Sequence, residues 1–181
     1  MASDNEWIST SADYIKPRSP EAGDAWAEEA ASKAAVGRQS LTGAGEVHPP
    51  ASVAESLGLA VDETVIARQR IMYADDAPVE IANTYYPAAI AKGTPLAAPR
   101  KIKGGAVACL ANLGYTAARV IEDITARPAL EAERDQLNLG EHEPVVVIER
   151  LTLDSSDRPI QADVMVAPAA LRRLRYELKV D

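Results

Sequence analysis

Hydrophobic and polar positions alternate along two parts of this chain, and the two parts repeat each other at a spacing of about eighty residues. Residues 64–73 and 144–153 are rich in β-branched side chains, which favour strands. Each run is followed by a polar cluster and then by a second alternating run, at 79–86 and 160–167. This order predicts two strands joined by a tight turn. We therefore expect the same β-hairpin twice.

A short amphipathic helix is predicted ahead of each hairpin. In the first copy, apolar residues four positions apart are followed by Gly58, and glycine often caps the end of a helix. This pattern predicts a helix over 50–57. The second copy predicts its counterpart over 130–137, where Asn138 takes the place of the glycine. The repeated unit thus contains a helix, a strand, a turn and a strand.

The repeat indicates an α+β fold built around one sheet with pseudo-twofold symmetry. A further strand is predicted ahead of each helix, at 39–48 and 116–125, which gives six mainly antiparallel strands. Another helix is predicted between the copies, over 105–113. We expect one domain at 38–181, preceded by a linker or N-terminal extension at 1–37 that contains a short helix.

Composition narrows the classes of function. A length of 181 residues with 47% hydrophobic residues suits one buried core. The net charge of -8 argues against a nucleic-acid surface, because phosphate binding needs an excess of Lys and Arg. No apolar run approaches the roughly 20 residues of a membrane helix, and the first ten residues do not resemble a signal peptide. We therefore expect a cytoplasmic protein that does not contact a membrane.

The residue types that commonly carry out catalysis do not occur at catalytic spacings in this sequence. His48 and His142 lack the spacing of metal ligands, and no serine lies in a nucleophile elbow. Cys109 is the single cysteine, and it falls within an apolar helix face where a buried structural thiol is expected. The sequence therefore predicts no metal, no cofactor and no catalytic residue, and we expect a protein that is not an enzyme.

A basic, glycine-rich segment at 100–105 leads into the predicted helix over 105–113. The first turn of a helix presents free backbone N–H groups and the positive end of the helix dipole, and Gly104 and Gly105 would let a ligand approach them. This arrangement predicts a seat for an anion. The alternative is that the glycines only permit a turn and that the lysines of the segment are solvated.

Two arginines strengthen the expectation of an anion. Arg68 and Arg70 are two positions apart on a predicted strand, so they project to the same face. Neighbouring guanidinium groups repel each other unless a negative group lies over them. That group could be a carboxylate or phosphate of a ligand, or Glu80 on the return strand. The alternative is an exposed cross-strand ion pair that contributes little.

The order of several of these segments resembles that of the UTRA domain, the effector-binding domain of GntR-family transcription regulators of the HutC subfamily. The segments are Leu57-Gly58-Leu59, 65–70, Pro78-Val79-Glu80, Thr84-Tyr85-Tyr86-Pro87 and 144–150. With the duplication, the resemblance covers about 38–180. It implies a fold similar to chorismate lyase, in which helices flank a central antiparallel sheet and a small-molecule pocket.

The resemblance also implies a binding site. It implies that Arg68 and Arg70 hold an anionic group of the effector and that the position of Gly105 assists them. Positions Ala82 and Gln161 would read the rest of the ligand, but neither carries a carboxylate here, so a phosphosugar is not assumed. Residues 41–43 would line the pocket. The full set of expected ligand-binding residues is Arg68, Arg70, Gly104, Gly105, Thr42, Glu80, Tyr85 and Gln161.

The expected partners follow from the same resemblance. In the family a winged-helix DNA-binding domain precedes this domain, and 1–37 is too short and too weakly basic to supply one. We therefore expect a sensor of a small anionic metabolite that forms a homodimer and contacts DNA only through a winged-helix domain not present in this chain. Two alternatives remain open, a chorismate lyase-like enzyme with Glu80 as its acid and a dimerisation module with a vestigial pocket.

Overall fold

The computed structural model of the chain describes Trp7–Ser9, Tyr14 and residues 25–175. The described part contains strands and α-helices that we number in chain order, and one 3-10 helix. These elements are β1 (Trp7–Ser9), α1 (Ala25–Ser32), β2 (Gly37–Val47), α2 (Ala51–Leu57), β3 (Val65–Ala74), β4 (Ala77–Pro87), α3 (Ala88–Ala91), the 3-10 helix (Pro95–Ala97), α4 (Gly105–Asn112), β5 (Arg119–Pro128), α5 (Glu131–Leu137), β6 (Pro144–Leu153), β7 (Pro159–Pro168) and β8 (Arg172–Leu174).

The main sheet has six antiparallel strands in the order β2-β3-β4-β7-β6-β5. The order is symmetric, because β2, β3 and β4 of the first copy correspond to β5, β6 and β7 of the second. The two copies meet where β4 pairs with β7, and Asn83 lies opposite Val164 near the middle of that pair. Each hairpin also contains a register shift at the equivalent place, between Met72 and Tyr73 and between Thr152 and Leu153. The predicted six-stranded sheet and the duplication are therefore confirmed.

A second, smaller sheet was not predicted. It pairs β1 with β8 in parallel over three residues of each strand. A three-residue strand is too short to show an alternating pattern in sequence, which explains why it was missed.

Helices α2 and α5 cover one face of the main sheet, and each packs against the other copy. Val53 and Leu57 of α2 cluster with Ala162 of β7, whereas Leu137 of α5 clusters with Ile81 of β4. The two helices end at equivalent left-handed residues, as predicted: Gly58 has φ 64° and Asn138 has φ 54°. This exchange of contacts joins the two copies into one core.

The other face is covered in two places. Helix α1 packs through Trp26 and Ala30 onto Met72, and α4 packs through Leu110 onto Ile66 and neighbouring residues. Segment 25–32 therefore shares a core cluster with the sheet. None of the helices in the described part of the chain combines the length and the apolar character needed to cross a membrane.

Candidate functional site

Polar side chains form a row across the face of the main sheet that α1 and α4 cover. Five residues lie opposite one another in register on successive strands, so their side chains share one face. This polar row consists of Arg68 on β3, Thr84 on β4, Asp163 on β7, Arg150 on β6 and Glu122 on β5. Four of its members are buried, and buried polar groups require specific partners.

Arg68 is held by the main chain. Its Nη1 donates to the carbonyl oxygens of Leu96 at 2.9 Å and Ala98 at 2.8 Å, and its Nη2 donates to that of Arg100 at 2.9 Å. Burial lowers the pKa of Arg68, so the three carbonyl groups offset part of the cost of a buried cation. Arg68 thus fixes the segment that leads from the 3-10 helix towards α4.

Arg70 belongs to a different network. Its Nη2 donates to Thr84 Oγ1 at 2.9 Å, and the Thr84 hydroxyl donates to Asp163 Oδ1 at 2.7 Å. The other oxygen of Asp163 accepts from Gln161 Nε2 at 2.8 Å. Arg70 Nε is buried and has no hydrogen-bond partner among the residues that the structure describes. The network therefore joins Arg70 to Gln161 through one carboxylate and leaves one buried donor of Arg70 unused.

The far end of the polar row is an ion pair. Arg150 Nε donates to Glu122 Oε1 at 2.6 Å, and both side chains are largely buried. Arg150 also lies directly opposite Asp163. The repeat could have identified Arg150, because it is the counterpart of Arg70 in the second copy. Sequence reasoning missed Thr84, Asp163 and Glu122, because their shared row depends on strand register.

Two of the expected site residues have other environments. Glu80 is buried and forms an ion pair with Arg172 of β8, so the arginines of β3 do not use it. Tyr85 lies on the opposite face of the sheet, where it packs with Val53 and Leu57 of α2. Because residues alternate between faces along a strand, Tyr85 cannot line a site that contains its neighbour Thr84. We therefore leave Tyr85 out of the site.

Thr42 lies at an irregularity of β2. The pairing with β3 shifts between Leu41 and Gly43, so Thr42 is the extra residue of a bulge and is exposed. Leu41 pairs with Arg70, which places the bulge beside the arginine. Thr42 thus lies near Arg70 on the neighbouring strand, but its side chain is exposed to solvent.

The two glycines form the start of α4. Gly104 has φ 79° and Gly105 has φ 84°, values that favour glycine over other residues. A Cβ at Gly105 would meet no atom within 4 Å, so the backbone conformation and not space requires the glycine there. The Gly105 amide donates to the Ile102 carbonyl at 3.0 Å, so this N–H is used within the turn.

A small cleft lies between the end of the polar network and α4. Val107 and Leu110 of α4 and Ile160 of β7 supply apolar walls, while Thr152 and Gln161 supply polar groups. Thr152 Oγ1 is buried without a hydrogen-bond partner within the described ranges. Among the described residues, no group of three or more His, Cys, Asp or Glu side chains could hold a metal ion. The cleft therefore combines apolar walls with polar groups.

Comparisons with known proteins agree with this fold. A family model described as the UTRA domain matches residues 38–171. No curated protein matches the sequence. A crystal structure of a GntR-family transcriptional regulator is 25% identical with a TM-score of 0.74, and the match covers 83% of this chain and 62% of that one. This chain therefore spans less than two thirds of the length of that regulator.

Two other solved structures are isolated domains with the same fold. The effector domain of PhnF from Mycobacterium smegmatis is 17% identical with a TM-score of 0.72, and the match covers 91% of this chain and 99% of that one. The C-terminal domain of the histidine utilization repressor from Pseudomonas syringae pv. tomato is 19% identical with a TM-score of 0.64, and the match covers 80% and 99%. At identities this low, the two structural matches establish similarity of fold alone.

Proposed function

The chain belongs to the UTRA domain family, the effector-binding domains of GntR-family transcription regulators, and we propose that it senses a small anionic metabolite for such a regulator. A winged-helix domain outside this sequence would make the DNA contacts, since this chain carries a net charge of -8. Ligand binding would shift a conformational equilibrium by the difference in affinity for its two states. The shift would strengthen or weaken operator binding by the whole regulator.

The unused donor of Arg70 is the observation that carries the anionic character of the ligand. A buried N–H without a partner costs about 1–3 kcal/mol, and Arg70 Nε is such a group among the described residues. A carboxylate or phosphate oxygen would accept from it and would add charge attraction. Arg68 lies two positions away on the same face and adds positive potential.

The environment of Glu80 favours a sensor over a lyase. A lyase on this fold would need an acid near Arg68 to protonate a leaving group. Glu80 was the candidate, but its ion pair with Arg172 favours the charged carboxylate, which has no proton to donate. Burial also raises the pKa of the Cys109 thiol, which opposes formation of a nucleophilic thiolate. We therefore assign no chemical step to the site.

We further propose that the regulator acts as a homodimer in the cytoplasm. Palindromic operators require a protein with twofold symmetry, and an effector domain is well placed to supply the dimer contact. The cytoplasm is where a bacterial regulator meets both DNA and metabolites. These assignments rest on the family and extend to the whole regulator, of which this chain is the sensing part.

The test is a thermal-shift screen of the purified chain with sugar phosphates, aliphatic and aromatic carboxylates and chorismate, because a ligand that binds the folded state raises its melting temperature. Each stabilising compound is then incubated with the chain and analysed for products. We expect at least one stabilising anion and no turnover. Turnover of chorismate would favour the lyase, whereas the absence of any stabilising anion would favour a dimerisation module with a vestigial pocket.

A second step links binding to regulation. The chain is fused behind a winged-helix domain of a GntR-family regulator, and operator affinity is measured with and without the stabilising compound. We expect the compound to change operator affinity in the fusion and the isolated chain to bind no operator. A compound that binds the fusion without changing operator affinity would contradict the sensor function.

A further inference from the structure

The two edges of the main sheet differ in regularity. Strand β2 at one edge is interrupted by the bulge at Thr42, whereas β5 at the other edge pairs with β6 over its whole length without a register shift. A regular edge strand presents a row of unpaired N–H and C=O groups, and monomeric proteins usually protect such an edge with bulges, prolines or charged side chains. Among the described strands, none lies on the outer side of β5. This edge is therefore suited to pair with a further strand.

The charged side chains of β5 do not protect its edge. Most of them form ion pairs within the chain: Arg119 with Asp157, Glu122 with Arg150 and Arg127 with Glu133. Two large apolar side chains of the strand are exposed instead, Ile121 by 42% and Ile124 by 38%, one on each face. An edge with exposed apolar side chains, whose charges are held by other elements, favours contact with another protein strand.

An apolar row runs across the sheet to this edge. It consists of Ala82 on β4, Met165 on β7, Ile148 on β6 and Ile124 on β5, which lie opposite one another in register. Ala82 and Ile148 are buried, whereas Ile124 at the end of the row is exposed. Arg70 lies opposite Ala82, so the row starts beside the proposed anion site. The apolar row thus connects that site with the outer edge of β5.

We propose that β5 pairs in antiparallel orientation with β5 of a second copy of this chain, about a twofold axis at Ile124, so that the two main sheets become one continuous sheet. This inference rests on the proposed function, because it locates the contact of the homodimer. The pairing places Ile124 against its counterpart and joins the two apolar rows. Because a twofold axis perpendicular to the sheet maps each face onto itself, the Arg70 side chains of both copies lie on the same face.

Charge and length determine the register of the pairing. Residues directly opposite each other in an antiparallel pair share a face, so the axis must pass through a residue of β5. An axis at Glu122 or Asp123 would place a carboxylate against its own counterpart, which is destabilising. An axis at Ile124 pairs residues 120–128 with no like charges opposite each other, since Asp123 then faces Thr125. An axis at Ile121 or Thr125 would pair fewer residues of β5.

A substitution at the axis tests the interface. Ile124→Glu removes an apolar contact and places two carboxylates against each other, so we expect the dimer dissociation constant of the full chain to rise by about ten-fold or more. Sedimentation equilibrium measures this constant. Val47→Glu is the matched control, because Val47 is also β-branched and 42% exposed but lies on β2 at the other edge. This variant should leave the dissociation constant unchanged.

Cysteine crosslinking tests the register. The background is Cys109→Ser, which removes the single native thiol. Ile124→Cys then brings two thiols to directly opposite positions, and mild oxidation should give a covalent dimer. Ile121→Cys is the control: in this register Ile121 faces Arg127, so its own counterpart lies roughly 20 Å further along the strand. We expect a crosslink in Ile124→Cys and none in Ile121→Cys.

The outcomes separate this inference from the proposed function. A dimer that Ile124→Glu does not weaken, or that Val47→Glu weakens equally, would overturn the interface on β5 and leave the homodimer standing. A crosslink in Ile121→Cys, or none in Ile124→Cys, would overturn the axis at Ile124. A chain that stays monomeric at all concentrations would contradict both the interface and the homodimer, whereas the thermal-shift screen tests the sensing of an anion separately.

Discussion

Arg68 and Arg70 share one face of β3, yet their guanidinium groups serve different parts of the molecule. Arg68 donates to three main-chain carbonyl oxygens, whereas Arg70 donates to the hydroxyl of Thr84 and keeps a buried Nε without a partner among the described residues. The two arginines, which lie on the same strand and face, therefore have different roles. Arg68 holds the segment that follows the 3-10 helix, and Arg70 is the arginine to which the proposed function assigns the anion.

Replacement of Arg68 should reduce stability. In Arg68→Ala the carbonyl groups of Leu96, Ala98 and Arg100 lose a charged donor, and we expect the free energy of unfolding to fall by about 3 kcal/mol. Chemical denaturation measures the change. Arg70→Ala is the matched control, and because Arg70 donates one hydrogen bond to a side chain, we expect a loss of about 1 kcal/mol. Equal losses in the two variants would contradict the division of roles.

Replacement of Arg70 should act on binding. We expect Arg70→Ala to abolish binding of an anionic compound found in the thermal-shift screen, because the charge and the free Nε donor are both lost. Arg70→Lys keeps the charge without the planar fork and should bind weakly. The measurement is the dissociation constant by calorimetry. Unchanged affinity in Arg70→Ala would show that Arg70 does not bind the anion.

The hydrophobic pattern predicted the sheet because each half of the chain repeats a local signal. Alternation over about ten residues fixes the face of each strand, and a second copy confirms the first. The caps of α2 and α5 were also predictable, since Gly58 and Asn138 are the residue types that tolerate positive φ. These features depend on neighbours in sequence.

The partners of the site residues were not predictable, because they depend on register and on distant segments. Arg68 finds its carbonyl groups about thirty residues later in the chain, and Thr84 finds Asp163 79 residues away. Glu80 was expected near the arginines, but Arg172 of the unpredicted strand β8 pairs with it. Spacing in sequence could show that Arg68 and Arg70 share a face, but not which groups lie above them.

Acid should weaken the fold through Glu133. Bidentate hydrogen bonding from Arg127, aided by the Leu130 amide, holds the pKa of Glu133 below its ordinary value of 4.5. The unfolded chain then binds more protons in the window below about pH 4.5, so this stabilisation is present above that window and is lost as the pH falls through the folded pKa. Chemical denaturation at a series of pH values gives the acid slope, the fall in the free energy of unfolding as the pH is lowered. This slope should be shallower in Glu133→Gln than in the unchanged chain.

The control for Glu133 is its neighbour on the same helix. Glu131 also lies in the first turn of α5 but is exposed. Glu131→Gln should keep the acid slope of the unchanged chain. If both variants lower the slope equally, the effect comes from general charge on the domain and not from the ion pair with Arg127.

The association state is a further prediction of the proposed regulator. We expect sedimentation equilibrium of the purified chain to give twice the chain mass of 19.3 kDa and to show dissociation on dilution. A homodimer interface has a relatively apolar core, so the net negative charge does not prevent association. A monomer mass that is independent of concentration would contradict dimerisation through this domain.

The two copies allow one experiment on helix caps to be performed twice in the same protein. Gly58 and Asn138 occupy the same left-handed position after α2 and α5, and a Cβ at Gly58 would meet no atom within 4 Å. Gly58→Ala should therefore cost about 1 kcal/mol through backbone strain alone. Asn138→Gly should stabilise by a few tenths of a kcal/mol, because glycine removes the residual strain that asparagine tolerates. Chemical denaturation measures both, and a neutral Gly58→Ala would show that the turn can relax out of the left-handed conformation.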